Sequence, residues 1–183
     1  MSALMNSDSA RRVVLVTGAP GAGKTSVAEP LAAALGFALL SKDPIKEALF
    51  DALDGCAGDL AQSRKFSDAA IAVMLALAAQ CPQVVLEANF HPHNVHERER
   101  IKNLGGKIVE AYCSCPPDEM ARRFAERAAS TRRHPAHALK SLSPELLAEY
   151  DGPIGIGTVI RIVTLRPVST SELVRRIREA WSG

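Results

Sequence analysis

The sequence predicts one α/β domain, a five-stranded and mainly parallel sheet layered between helices on both faces. Three observations predict it. Short β-branched runs alternate with helical stretches along the whole 183-residue chain. Strands separated by helices need crossover connections, and crossovers lay strands parallel. The strand runs are apolar throughout rather than alternating, as expected of strands covered on both faces. The domain is expected over residues 13–183, after a loose tail of 1–12.

Each element follows from local chemistry. Residues 13–17 (VVLVT) form a β-branched run closed by Gly18 and read as the first strand. A helix follows over 24–35, stopped by Gly36. Pro30 inside it removes one backbone hydrogen bond and is expected to kink it. Residues 37–40 form the second strand. Asp43-Pro44 then opens a helix by side-chain capping and a first-turn proline, running to about residue 53. Residues 54–60 carry two glycines and read as a loop. Phe66, Ala70, Val73, Met74 and Leu77 share helical spacing within a predicted helix over 63–80. Residues 84–87 are the third strand and 94–104 a charged helix ended by Gly105-Gly106. The fourth strand covers 107–113. A basic helix follows over 116–129 and a short helix over 143–150. The fifth strand covers 159–165 and the closing helix 169–181.

Composition sets bounds on function. A net charge of +2 is too small for the whole chain to read as a nucleic-acid or membrane binder. No apolar run is long enough to span a bilayer, and residues 1–12 (MSALMNSDSARR) lack the apolar centre of a secretion signal. Cys56, Cys81, Cys113 and Cys115 form no CxxC pair, so reduced thiols in a cytoplasmic protein are expected.

The most specific motif is Gly18-Ala19-Pro20-Gly21-Ala22-Gly23-Lys24-Thr25, which satisfies G-x-x-x-x-G-K-[ST] at every fixed position. A buried strand precedes it and a helix follows. Glycines let the backbone curl so that several N–H groups face one anion, and the helix adds its positive end. Lys24 supplies a mobile charge for β- and γ-phosphates. The Thr25 hydroxyl, followed by Ser26, supplies a hard oxygen for Mg²⁺. The motif therefore predicts a bound nucleotide phosphate with Mg²⁺. No NKxD guanine-recognition motif occurs.

With that loop (GAPGAGKTS, 18–26), three further segments carry a resemblance: LLSKDPIKEAL (39–49), VVLEANF (84–90) and RRFAERAASTRRHPAH (122–137). Together they resemble the small P-loop kinases of the nucleoside-monophosphate-kinase type. Within these the chain looks most like the branch of polynucleotide 5′-kinase, chloramphenicol phosphotransferase and zeta-toxin-like kinases. The resemblance implies a P-loop three-layer sandwich, a helical lid at about 118–140, and transfer of a phosphoryl group from ATP to an acceptor hydroxyl. It also implies that Asp43 accepts or orients the proton of the attacking hydroxyl. A lid arginine is implied to stack on adenine, here Arg123, and a later one to reach the phosphates, here Arg127. Arg166, after the fifth strand, is implied to border the adenine.

The residues support these roles on their own terms. Asp43 and Glu87 follow the second and third strands, at the carboxyl edge where open α/β sheets bind ligands. Glu87 stands where a carboxylate commonly holds a Mg²⁺-bound water, although the usual residue is Asp. Asn89 beside it can hydrogen-bond an acceptor. Lys46 lies in the first helical turn after Asp43, where it can hold an anion. Arg64 and Lys65 also suit an anionic acceptor. From Asp118 to Lys140 there are six basic and three acidic residues, leaving the rest of the chain near −1. Arginine forks there would stabilise charge spread over a transferring phosphoryl group. His134 and His137 fall in the lid connection. His91, His93 and His96 raise a zinc site, for which the spacing gives no fixed helical pair.

The expected function is phosphorylation of a small-molecule hydroxyl. Eight aromatics give no stacking platform for single strands, so a 5′-hydroxyl polynucleotide is the alternative acceptor. The rival class is an ATPase or nucleotide switch acting on a protein partner, and no membrane partner is expected.

Overall fold

The computed structural model describes residues 11–183, so most of the expected tail, 1–10, lies outside the described residues. Five strands, β1 (Arg12–Thr17), β2 (Ala38–Ser41), β3 (Gln83–Glu87), β4 (Lys107–Ser114) and β5 (Thr158–Val163), form one sheet in the order β2-β3-β1-β4-β5. Every pairing is parallel. The helices are α1 (Thr25–Leu35), α2 (Lys42–Ala52), α3 (Leu60–Ala78), α4 (Val95–Lys102), α5 (Pro117–Ala129), α6 (Pro144–Ala148) and α7 (Thr170–Ser182).

The central strand explains the architecture. Successive β1 side chains point to opposite faces. Val14 and Val16 enter one core with Leu31 of α1 and Leu173, Ile177 and Trp181 of α7. Val13 and Leu15 enter the other with Ile71 and Met74 of α3 and Ile101 of α4. All four are fully buried, so both faces of β1 must be apolar, as the unbroken run requires. The two cores make three layers. No described helix is long and apolar enough to cross a membrane.

Several boundaries depart from the sequence expectation for stated reasons. Asp43 does not cap α2: the helix starts at Lys42 with Ser41 at the cap position, and no side chain caps it. The Ser41 hydroxyl donates instead to Glu87 Oε2 (2.7 Å). α3 starts three residues before the predicted 63, because the Asp59 carboxylate accepts from Gln62 N (2.9 Å). α1 runs unbroken through Pro30, which lies on its exposed side.

A buried carboxylate ties β4 to the end of β1 and to the chain after α6. Glu110 of β4 is fully buried and accepts from Thr17 Oγ1 (2.6 Å), Ile154 N (2.9 Å) and Gly155 N (2.8 Å). Three donors make its burial tolerable. They also fix the chain after α6, and with it Tyr150, over the carboxyl edge of the sheet.

Candidate functional site

β1 stops at Thr17, and the chain curls through residues 18–24 before α1 begins. Two glycines there have no alternative. Gly18 has φ +133°, and a Cβ on it would lie 2.2 Å from the Cys113 carbonyl oxygen. Gly21 has φ +83°, and its Cβ would lie 2.3 Å from the Met120 carbonyl oxygen. The curl is therefore wedged against the end of β4 and the first turn of α5. Ala19 and Ala22 are buried beneath it. Pro20, Gly21, Gly23, Lys24, Thr25 and Ser26 face a cleft of about 570 Å³.

Lys24 Nζ donates to the Ala19 carbonyl across the curl (2.9 Å). Burial pushes its ammonium down to about 8, against the opposing pull of Asp43 and Glu87. An ammonium so placed gains from an incoming polyanion. Thr25 Oγ1 donates to Glu87 Oε1 (2.6 Å). Glu87 thus receives two hydroxyls, from Thr25 and from Ser41, and is itself buried. A hydroxyl and a carboxylate 2.6 Å apart form a hard-oxygen pair, the donor type that Mg²⁺ prefers. The residues present fit that ion: Thr25 and Glu87 would hold it, with phosphate oxygens and water completing the shell.

Asp43 opens onto the same cleft with its side chain 54% exposed, and Lys42 Nζ lies 3.3 Å from Oδ1. Burial by the cleft walls alone would raise its pKa. Lys42, His137 and Lys24 outweigh that and hold it down to about 2. Asp43 is therefore ionised under all ordinary conditions and is a weak proton acceptor that orients a hydroxyl well. Lys42 Nζ also donates to Asn89 Oδ1, which ties the chain after β2 to the chain after β3.

The outer wall comes from α3 and the segment after α5. Lys46 is buried and donates to Ser63 Oγ (2.8 Å). Ser63 in turn donates to the Ala136 carbonyl (2.7 Å). Ala136 is fully buried in a small cluster with Phe50 and Phe66. His137 Nε2 lies 2.7 Å from Glu47 Oε1, and His134 Nε2 lies 3.2 Å from Asp51 Oδ1. Burial lowers the His137 pKa in spite of Asp43 and Glu47. The expected lid segment is thus seated on α2 and α3. Arg127, Arg132 and Arg133 line the cleft from it.

Of the residues expected at the site, the structure gathers Lys24, Thr25, Ser26, Asp43, Lys46, Glu87, Asn89 and Arg127 around one cleft, with Arg64 on its α3 wall. Gly18, Ala19 and Ala22 shape the curl from behind. Arg123 does not line the cleft. It donates from Nε to Glu119 Oε1 (2.6 Å) and from Nη2 to the Thr164 carbonyl (3.1 Å), behind Gly23. Arg166 is exposed in the loop after β5, and Lys65 is exposed outside the cleft. His91 lies 3.2 Å from Glu97, and its ring packs on Tyr150 with centroids 4.5 Å apart and a 34° tilt. Among the described residues no three His, Cys, Asp or Glu side chains gather as a metal cage. Sequence reasoning missed Ser41, Ser63 and Tyr150. Ser41 could have been found as the residue preceding a helix at a strand end. Ser63 and Tyr150 depend on tertiary contacts and left no local signal.

A family model for the AAA domain (AAA_33) matches residues 13–148. No curated protein matches the sequence. Among solved structures, the chain is similar to a candidate kinase from Chloroflexus aurantiacus at 26% identity, covering 94% of this chain and 98% of that one, TM-score 0.79. It shares its fold with the APS kinase of Mycobacterium tuberculosis in complex with AMPPNP and APS, at 19% identity over 95% and 99% of the two chains, TM-score 0.62. It does so too with shikimate kinase from Acinetobacter baumannii in complex with shikimate, at 19% identity over 93% and 92%, TM-score 0.59. The fold is that of the P-loop kinases.

Proposed function

This chain belongs to the AAA domain family AAA_33, and on that premise we propose that it is an ATP-dependent kinase acting on a hydroxyl group of a small molecule. One observation carries the reading: the phosphate-binding curl and the Asp43 carboxylate open onto the same cleft. A triphosphate seated on residues 18–25 points its terminal phosphoryl group into that space. An acceptor hydroxyl hydrogen-bonded to Asp43 then stands in line to attack. The acceptor oxygen forms its bond to the γ-phosphorus as the bond to the β,γ-bridging oxygen breaks. ADP leaves, and the hydroxyl proton passes to Asp43 late in the step or to water.

The chain's contribution is positioning and charge. Backbone amides of the curl and Lys24 hold the phosphates. Arg127 and Arg132, facing the cleft, neutralise charge on the transferring group. Thr25 and Glu87 would hold Mg²⁺, which would supply positive charge to neutralise the triphosphate. For Arg123, bonded to Thr164 behind Gly23, and Arg166, exposed after β5, the adenine role rests on the resemblance alone. The ligands named for the similar structures, AMPPNP with APS and shikimate, support a nucleotide and a small acceptor. Within the P-loop kinases, the segments at 39–49, 84–90 and 122–137 resemble those of the polynucleotide 5′-kinase, chloramphenicol phosphotransferase and zeta-toxin-like branch.

The test is γ-labelled ATP offered with panels of sugars, hydroxy acids, nucleosides, antibiotics and 5′-hydroxyl oligonucleotides. Label should move to a small-molecule alcohol. Label moving only to water would favour an ATPase instead. Lys24→Ala should lower kcat/KM by roughly 100-fold or more. Asp43→Asn should lower kcat by about as much while AMPPNP affinity stays within a few-fold. Collapse of AMPPNP affinity in Asp43→Asn would assign Asp43 to structure.

A further inference from the structure

The acceptor end of the cleft holds two cations whose donors are not used up. Lys46 is only 5% exposed. Its hydrogen-bond partner is the Ser63 hydroxyl, and among the described residues no carboxylate lies within ion-pair distance of it. Ser63 has already committed its hydrogen to the Ala136 carbonyl, so it can only accept from Lys46. An ammonium carries three donors, which leaves two for a ligand. Arg133, in the covering segment, stacks its guanidinium 5.0 Å over the Phe124 ring and donates from Nη2 to the Leu139 carbonyl. Its Nη1 is buried with no hydrogen-bond partner. Buried donors are seldom left unpaired, and a planar fork with a spare nitrogen suits an oxyanion.

The two charges also act on each other. Burial lowers the Lys46 pKa to about 8, and the neighbouring charges of Lys42 and Arg133 push the same way. Asp43 is close enough to pull both Lys46 and Arg133 in the opposite direction. Lys46, Arg133 and Asp43 line the same cleft, so two like charges with spare donors share it with the carboxylate.

We infer that the acceptor is an anionic alcohol, its carboxylate, phosphate or sulfate group held between Lys46 and Arg133 while its hydroxyl faces Asp43. An oxyanion there fills the spare donors and cancels the repulsion. The inference names the acceptor class for the kinase reading and rests on that reading for the placement of the hydroxyl. Anion capture itself needs no turnover.

The test is an NMR-detected titration of the full chain saturated with Mg²⁺ and AMPPNP, so that the curl at 18–25 is filled. Sodium sulfate, sodium phosphate and sodium acetate are the probes, and they separate tetrahedral from carboxylate preference. At least one should bind saturably. Lys46→Met and Arg133→Met should each weaken it roughly tenfold or more, with AMPPNP affinity within a few-fold. Lys65→Met, outside the cleft, should leave it unchanged. No saturable binding by any probe would overturn the inference. So would binding retained in both cleft variants, or Arg133→Met weakening AMPPNP rather than the anion. Failure to bind AMPPNP at all would sink the kinase reading separately, and the titration would then be read on nucleotide-free Lys24→Ala protein.

Discussion

Gly18 shows how little freedom the site leaves a single residue. With φ at +133° and a carbonyl oxygen 2.2 Å from where a Cβ would sit, Gly18→Ala must displace the end of β4. We expect a loss of about 3 kcal/mol or more in urea unfolding, with weakened AMPPNP binding. Lys46 illustrates the opposite bargain, in which a binding group costs stability. Its folded pKa, about 8, lies below the ordinary 10.5, so burial penalises the charged form. That penalty is complete below pH 8, fades between 8 and 10.5, and vanishes above. Lys46→Met should therefore stabilise the ligand-free protein by on the order of 2 kcal/mol at pH 7. Urea titrations should show the variant and parent converging as pH approaches 10.5. At this scale the sequence was informative wherever chemistry is local: the glycines, Lys24 and Thr25 declare themselves by spacing. It was silent on Ser63, whose two partners lie 17 and 73 residues away.

Elements were readable from the same rules, and their errors are instructive. All five strands and seven helices were foreseen, because two-sided burial of β1 demands an unbroken apolar run and parallel pairing demands crossovers. The start of α2 was misassigned since Asp43-Pro44 is a good opening pair. Capping lost to tertiary chemistry: Ser41 gives its hydroxyl to Glu87, and Asp43 turns to Lys42 in the cleft. In α1 the helix continues through Pro30, which leaves one bond unmade, to the carbonyl of Ser26. Pro30→Ala restores that donor, worth up to ~3 kcal/mol, and loses up to ~1 kcal/mol of unfolded-state restriction. A net gain of about 1–2 kcal/mol in urea unfolding is expected. A loss would mean that the proline relieves strain next to the curl.

The whole molecule is a sheet whose carboxyl edge is roofed by the segment after α5, within the stretch that the resemblance implied as a lid. Its seating depends on contacts between distant parts: Ala136 among Phe50 and Phe66, His137 against Glu47, and the Ser63 hydroxyl on the Ala136 carbonyl. Ala136→Asp buries a charge among those rings and should unseat the roof while leaving the sheet intact. Trypsin should then cut at Arg132 and Arg133 at least about tenfold faster, with unchanged far-UV circular dichroism. Equal cutting would mean that the roof is held elsewhere. Ser63 has a broader implication. One hydroxyl steadies the ammonium at the acceptor wall and, through its own hydrogen, clasps the roof. Redesign of the pocket at position 63 would therefore reset both at once: a new taste for cargo would come with a new latch, and neither trait could be selected alone.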